Sequence, residues 1–187
     1  MDGLALTAGR EIACLVRAAA AGDRGAFDQL VQLHADQVYR VALRMLDDPD
    51  DAEDVQQETF LLAYRRLDSF RGEAAFGTWL YTIAARLCLG RRRRSERLHE
   101  PVPPEIRAGA QQAHDPQDRL DALDSAGRVQ RALAALAPPD RLLIVLRYIE
   151  ELNHEEIGLI FGCSAESSRS RLARAKRLFR QHYERMN

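Results

Sequence analysis

Long apolar runs and a basic leader are missing from this chain of 187 residues. No stretch approaches the roughly 20 consecutive apolar residues that a membrane-spanning helix needs. The first residues carry an acidic side chain at position 2 and no basic cluster, so they do not have the pattern of a signal peptide. Both absences indicate a cytoplasmic protein without direct membrane insertion.

Closely spaced cysteines are missing too. Cys14, Cys88 and Cys163 form no CxxC pair, and the five histidines are scattered. We therefore interpret the cysteines as reduced, small, buried hydrophobic residues, and we expect neither a metal site nor a cofactor. The sequence also lacks a recognisable Ser-His-Asp triad, a pair of catalytic carboxylates and a P-loop, so we do not expect an enzyme.

A strong excess of positive charge is the third absence, since the net charge is only −1. Binding to nucleic acid would therefore need local clusters of basic residues, or a protein partner that supplies much of the affinity. Two such clusters exist: Arg91 to Arg94 with Arg97, and the arginine-rich stretch from Arg169 to Arg180.

Apolar residues recur at helical spacing along most of the chain, and no strand-like alternation competes with them. The sequence therefore predicts an all-α fold. Ser95 to Gln117 is rich in proline and poor in large apolar residues, which is typical of a linker and a domain boundary. We predict two small helical domains, residues 1–94 and 118–187, joined by a flexible linker over residues 95–117.

The C-terminal stretch NHEEIGLIFGCSAESSRSRLARAKRLFR contains two helix starts within a dozen residues. Asn153 with Glu156 predicts a capping box, Gly162 a left-handed helix end, and Ser164 the cap of a second helix. Helix, tight turn and helix with a basic face is the pattern of a helix-turn-helix, whose second helix enters the DNA major groove. An ordinary helical hairpin with a solvated basic face remains the alternative.

The helix predicted to start at Asp50 or Asp51 carries several acidic residues in its first two turns. The helix dipole stabilises acids at this end, which is the simpler explanation. The acids Asp51, Glu53, Asp54 and Glu58, together with Gln56 and Gln57, nevertheless exceed what capping requires. A docking face for a basic partner is therefore the sharper alternative. Further along this helix we expect Leu61 and Tyr64 to make apolar contacts.

Aromatic residues cluster before and within the next predicted helix, which runs from about Phe76 through Arg92. The loop before it holds Phe70, Arg71 and Gly72, and the helix carries Trp79. Aromatic rings beside arginines can stack unpaired bases and neutralise phosphates. From composition alone, however, an aromatic stripe in a small helical domain is more often part of the core.

The order of these segments resembles the small extracytoplasmic-function (ECF, group 4) sigma factors of the bacterial sigma-70 family. DAEDVQQETFLLAYRRL is similar to the family segment that docks on the β′ clamp helices of RNA polymerase. FRGEAAFGTWLYTIAARL is similar to the segment that melts and reads the −10 promoter element. The C-terminal segment from Leu136 to Arg180 is similar to the domain that reads the −35 element.

The resemblance implies a promoter-specificity subunit whose partners are core RNA polymerase (β′ clamp helices and β subunit), promoter DNA and an anti-sigma factor. It implies polymerase binding by Asp51, Asp54, Gln57 and Glu58. It implies −10 DNA binding by Phe70, Arg71, Gly72, Phe76, Trp79, Arg86, Arg91 and Arg93. It implies −35 DNA binding by Ser164, Glu166, Ser167, Arg169, Ser170, Arg171 and Arg174. The two promoter elements lie about 25 base pairs, or about 85 Å, apart, so the linker should be extended on polymerase and the free chain compact or mobile.

The sequence departs from the family pattern in both DNA-reading segments. The usual Gly-Thr-Val-Lys-Ser-Arg start of the recognition helix is replaced here by Glu166 to Arg171, so the resemblance gives no base preference at −35. Arg86 replaces an asparagine and Gly90 replaces an aspartate, so the resemblance gives no base preference at −10. Ser168 replaces an apolar residue, so that position should be less buried, or its hydroxyl should bond back to the helix. The alternatives to a sigma factor are a free-standing helix-turn-helix regulator, which would bind duplex DNA without polymerase, and a protein-binding helical adaptor.

Overall fold

Helices account for nearly all of the described residues in the computed structural model, which describes residues 2–98 and 127–185. Within these ranges there is no strand, so the all-α prediction is confirmed. The helices are α1 (Asp2–Ala20), α2 (Arg24–Leu46), α3 (Pro49–Arg65), a 3₁₀ turn (Leu67–Ser69), α4 (Phe76–Leu98), α5 (residues 127–134), α6 (Pro138–Tyr148), α7 (His154–Phe161) and α8 (Ala165–Glu184).

Most of the predicted linker, residues 99–117, lies outside the described residues, as do the first residues of the predicted second domain. Residues 95–98 are helical and extend α4 beyond its predicted end. The domain boundaries at 94 and 118 therefore remain predictions.

Local capping explains how the first helices begin and end. Asp23 caps α2 by accepting a hydrogen bond from the backbone N–H of Ala26 at 3.1 Å. The start of α3 was predicted one or two residues too late. Asp48 accepts from the N–H of Asp51 at 3.0 Å, and Pro49 occupies the first turn, where its missing N–H costs nothing.

The first four helices enclose an apolar core. Leu30 and Val38 of α2 pack with Phe60 of α3 and Leu80 of α4, and all four side chains are at most 8% exposed. The inner side of α1 closes this core through Val16. The bundle therefore fixes α3 and α4 beside one another with their outer faces in solvent.

A second core joins the two halves of the chain. Met45, Val55 and Cys88 from the first half pack in one cluster with Leu142, Leu146, Ile157 and neighbouring residues from the second half. Arg141 of α6 is fully buried, and its guanidinium donates to Asp47 at the end of α2 at 2.8 Å. The two helical units therefore share apolar and ionic contacts instead of standing apart.

Hydrogen bonds also cross between the two halves. Glu150, which follows α6, accepts from Arg40 at 3.1 and 3.2 Å and from the hydroxyl of Tyr81 at 2.5 Å. Thr78 of α4 donates to Glu156 of α7 at 3.2 Å. These contacts place the start of the helix-turn-helix against the N-terminal part of α4.

Candidate functional site

The outer face of α3 carries the predicted acidic docking residues. Ala52, Val55 and Thr59 turn inward, so the intervening positions must face solvent. Asp51, Asp54, Gln57 and Glu58 are all exposed on this outer side. Gln56 belongs to a different role, because its side chain donates to the carbonyl of Ala35 at 2.8 Å and ties α3 to α2.

Two apolar residues extend the acidic face along α3. Both were expected to make apolar contacts, but Leu61 is 50% exposed and Tyr64 is 44% exposed, so about half of each side chain lies in solvent. Tyr64 retains one edge contact with the ring of Phe27. Leu61 lies one turn beyond Glu58, and that spacing was the signal that could have placed it on the same face.

Arg91 of α4 lies against the acidic face. Its Nη1 donates to Asp51 at 2.9 Å and to Asp54 at 3.3 Å, and its Nη2 donates to Glu58 at 3.5 Å. Partial burial lowers the pKa of Arg91, but the hydrogen bonds that it donates to Asp54, Asp51 and Glu58 outweigh this effect and raise the pKa overall. A residue predicted for DNA binding is thus brought together with three residues predicted for polymerase binding.

The loop before α4 is held by a stack of aromatic rings. The centroid of Phe70 lies 5.6 Å from that of Phe76 and 5.4 Å from that of Trp79. Phe76 is only 3% exposed, so in this conformation it supports the loop from inside. Arg71 and Gly72 are exposed at the tip, and Gly72 has φ +71°, which glycine adopts without strain.

The predicted −10 residues of α4 form one stripe. Trp79, Arg86 and Arg93 are seven residues apart, which returns each of them to nearly the same side of the helix. Arg86 and Arg93 are exposed, whereas Trp79 is partly covered by its ring contacts. The structure therefore groups these three residues and leaves Arg91 on the side that faces α3.

The helix-turn-helix has the local geometry that its sequence predicts. Asn153 accepts from the N–H of Glu156 at 2.9 Å, and Glu156 accepts from the N–H of Asn153 at 2.8 Å, which completes the capping box. Gly162 ends α7 with φ +63°, and Ser164 caps α8 by accepting from Ser167 at 3.2 Å. Gly158 has a role that was missed, since a Cβ there would lie 2.6 Å from the carbonyl oxygen of Cys163.

The exposed side of α8 presents the predicted −35 residues. Leu172 and Ala175 turn inward, while Glu166, Arg169, Ser170 and the other arginines face solvent. Both expectations for Ser168 were wrong, because it is fully buried and its hydroxyl lies 3.4 Å from Nδ1 of His154. Arg174 is 67% exposed and lies 3.5 Å from Asp140.

A shallow groove of about 400 Å³ continues along α8. It includes the predicted contacts Ser170 and Arg174, but its other basic residues, Lys176, Arg177 and Arg180, were not among the predicted DNA contacts. Their signal was helical spacing, since Arg177 lies three residues beyond Arg174 and Arg180 lies three residues beyond Arg177. The groove is lined by Ser170, Ala173, Arg174, Lys176, Arg177 and Arg180.

A metal site needs several histidine, cysteine or acidic side chains close together. Among the described side chains, no three such residues lie together. No described helix is long and apolar enough to cross a membrane.

Cys88 is buried as predicted, but Cys14 is exposed on α1, so the expectation of a buried cysteine was wrong there.

Two known family models match the chain, and they follow the same order as the surfaces described above. Residues 30–98 match the family model of sigma-70 region 2, and residues 126–179 match that of sigma-70 region 4. The chain belongs to the sigma-70 family. Region 2 contains α3, the aromatic loop and α4, and region 4 contains the helix-turn-helix. A member of this family is a transcription initiation factor and not an enzyme.

Similarity to individual relatives identifies the subfamily within the sigma-70 family. The ECF RNA polymerase sigma factor SigW of Bacillus subtilis (strain 168) is 33% identical over 168 residues, which cover 86% of this chain and 90% of SigW. The ECF RNA polymerase sigma factor SigM of Mycobacterium tuberculosis (strain ATCC 25618 / H37Rv) is 34% identical over 167 residues, or 89% and 82% of the two chains. The sequence is therefore that of an ECF sigma factor.

A solved structure shows the same fold. CnrH, in complex with the cytosolic domain of CnrY, is similar with a TM-score of 0.68 at 26% identity. The similarity covers 93% of this chain and 97% of CnrH. It therefore includes both helical units.

Proposed function

We propose that this ECF sigma factor belongs to group 4, acts in the cytoplasm, and directs core RNA polymerase to its promoters through three separate surfaces. The observation that carries the proposal is the exposure of all three surfaces in the order that the family requires. They are the acidic face of α3, the aromatic loop with its α4 stripe, and the basic face of α8.

The polymerase surface combines charge with apolar area. Asp51, Asp54, Gln57 and Glu58 complement the basic coiled coil of the β′ clamp helices, and the exposed Leu61 supplies apolar contact beside them. Affinity from polymerase explains how a chain with a net charge of −1 can act on DNA, because sequence choice then needs few phosphate contacts of its own. Contacts to the β subunit follow from the family resemblance.

The −10 surface is suited to single-stranded DNA. Extruding a base costs a few kcal/mol of stacking, which contacts in a loop pocket can offset. Phe70, Arg71 and Gly72 form the tip of this loop, and Phe76 and Trp79 hold it from below. Arg86 and Arg93 lie on the same stripe, where they can neutralise the phosphates of the captured strand.

The −35 surface is suited to duplex DNA. Ser164 fixes the N-terminus of α8, and the exposed Glu166, Arg169 and Ser170, with the half-buried Ser167, stand at the end of the helix that enters a major groove. Arg171 and Arg174 flank them and hold phosphates. Lys176, Arg177 and Arg180 continue the same basic groove.

Regulation by an anti-sigma factor completes the proposal. The family resemblance implies that such a partner holds the sigma factor inactive. The similar protein CnrH was solved in complex with the cytosolic domain of CnrY. An anti-sigma factor that covers α3 or α8 would block polymerase or DNA directly.

Equilibrium binding to core RNA polymerase tests the proposal. We expect the double variant Asp54→Asn/Glu58→Gln to weaken binding about five- to tenfold, because it removes two charges from the docking face. The matched control Asp28→Asn/Asp36→Asn removes two exposed charges from α2 and should bind like the native chain. Tight binding of the native chain to promoter duplex without polymerase, and none to core, would instead support a free-standing regulator.

A further inference from the structure

Arg91 occupies the acidic face that the proposed function assigns to polymerase. Its guanidinium reaches Asp51, Asp54 and Glu58 at 2.9, 3.3 and 3.5 Å. These three acids are spaced by three and four residues, so they line one side of α3, and a single cation on α4 meets all of them. In the free chain, the acidic face of α3 is therefore already occupied by Arg91.

The arrangement distinguishes Arg91 from its neighbours. Arg93 and Arg94 are exposed, and neither has an ion pair with any residue that the structure describes. Arg91 points toward α3 because it lies on a different side of α4 from the stripe of Trp79, Arg86 and Arg93. Among these arginines, Arg91 alone has its charge engaged by the docking residues.

The contact is exchangeable. The side chains of Asp51, Asp54 and Glu58 are 53%, 66% and 45% exposed, and exposed ion pairs contribute little to stability. A partner that brings several arginines or lysines on a rigid helical surface can replace one guanidinium on these acids. The same replacement returns Arg91 to solvent at the end of α4, within the DNA-binding helix.

We propose that Arg91 is an internal competitor for the polymerase-docking face. It pairs with Asp51, Asp54 and Glu58 in the free chain, is displaced when the basic β′ coiled coil docks, and then contacts a promoter phosphate. This inference rests on the proposed function, since it needs α3 to be the docking face. It couples the two binding events, so that core polymerase increases the positive charge available to DNA, and DNA in turn favours core binding.

A purely structural role makes the opposite prediction. If Arg91 served as a clamp that orders α3 for its partner, removing it would disorder the acids and weaken polymerase binding. If only long-range charge mattered, every arginine removed from this part of α4 would have the same effect. Both alternatives can be separated from competition with one variant and one control.

The test measures the affinity of the full chain for core RNA polymerase after Arg91→Gln, with Arg94→Gln as the control that removes the same charge one turn further along α4. We expect Arg91→Gln to tighten core binding about three- to tenfold and Arg94→Gln to change it less than about twofold. Arg91→Lys should fall between, because one ammonium cannot reach three carboxylates as a guanidinium does. Circular dichroism checks that each variant is folded.

A second measurement follows promoter binding by the assembled holoenzyme. Arg91→Gln should weaken it and lower its salt dependence, even though core binding is tighter. Weaker core binding by Arg91→Gln, or equal changes in Arg91→Gln and Arg94→Gln, would overturn the competition while leaving the proposed function intact. No core binding by the native chain would overturn both.

Discussion

At the residue scale, Gly158 shows how one missing side chain allows the helix-turn-helix to close. The N–H of Cys163 donates to the carbonyl of Gly158 at 2.9 Å, and this brings the backbone of the turn onto the helix. A Cβ at position 158 would stand 2.6 Å from the carbonyl oxygen of Cys163, a distance that only a shift of backbone could relieve.

Gly158→Ala is therefore expected to destabilise the protein by at least about 2 kcal/mol, because the clash is with backbone rather than with a flexible side chain. Gly90→Ala is the matched control. Gly90 lies inside α4 with nothing within 4 Å of its added Cβ, so alanine should be neutral or add about 0.5–1 kcal/mol. Urea denaturation of both variants checks this. Equal stability of the two would contradict the close approach.

Cys88 gives a prediction for alkaline pH. Burial raises the pKa of its thiol to about 12, despite the opposing effect of Arg91 and Arg141. The unfolded thiol ionises near its ordinary pKa of about 8.5, so between that pH and about 12 the unfolded state loses a proton that the folded state keeps. The free energy of unfolding should consequently fall as pH rises through this window, by up to about 1.4 kcal/mol per pH unit from this group.

Cys88→Ala should reduce that slope, although the cavity it leaves will lower stability at every pH. Burial and the hydrogen bond to Glu150 also raise the pKa of Tyr81, so Tyr81→Phe should reduce the slope above about pH 10. Unfolding measured at a series of pH values separates the two contributions. A slope that neither substitution changes would show that other groups are responsible.

At the scale of elements, prediction from sequence succeeded where the signals were local. The caps at Asp23, Asn153 and Ser164 each involve a hydrogen bond to a residue three positions away, so the pattern alone could identify them. The same reasoning placed the start of α3 at Asp50 or Asp51, because it did not place Pro49 in the first turn, where proline is tolerated.

Contacts between distant elements could not be predicted in this way. Helical spacing placed Leu61 and Tyr64 among apolar residues, but it could not tell which side of α3 would be covered by another helix. The pairing of Arg91 with Asp51 joins residues 40 positions apart, and that of Arg141 with Asp47 joins residues 94 positions apart. Such pairs depend on how helices pack, which the charge pattern of one helix does not contain.

The recognition helix α8 gives the prediction at this scale. We expect Arg169→Ala to weaken promoter binding by holoenzyme and to relax base choice at −35, because the proposed function places Arg169 at the end of α8 that reaches base edges. Arg171→Ala and Arg177→Ala should weaken binding to all promoters alike, since the proposed function gives both residues a phosphate-binding role. A panel of −35 variants measures this difference, with the exposed Arg17 of α1 changed to alanine as the control. Identical losses across the panel for all three α8 variants would contradict the division.

At the scale of the whole molecule, the ion pair between the buried Arg141 and the partly exposed Asp47 is one of the contacts that join the two halves of the chain. Arg141 is fully buried, and its Nη2 donates to Asp47. Its Nε and Nη1 have no hydrogen-bond partner among the described residues. Burial lowers the pKa of Arg141, and the neighbouring Asp47 opposes this effect. The described halves are therefore in contact in the free chain, and under the proposed function promoter elements about 85 Å apart would require them to separate on polymerase.

Asp47→Asn should destabilise the free chain by about 3 kcal/mol, because it leaves a buried guanidinium without its carboxylate. Asparagine suits the left-handed backbone at this position, where φ is +63°, so the change tests charge and not conformation. Arg141→Met, which removes the charge, should cost less. Denaturant unfolding of both variants, with the distance between the two halves followed by fluorescence energy transfer, checks the expectation. Greater loss from Arg141→Met would contradict it.

Run-off transcription with core RNA polymerase on a pool of genomic promoter fragments, with and without the protein, tests the central claim most directly. The account predicts specific new transcripts whose upstream sequences share a −10 and a −35 element, and predicts that Asp54→Asn/Glu58→Gln reduces all of them together. No stimulation by a folded native chain that binds promoter duplex alone would contradict the account, because it would separate the helix-turn-helix from polymerase.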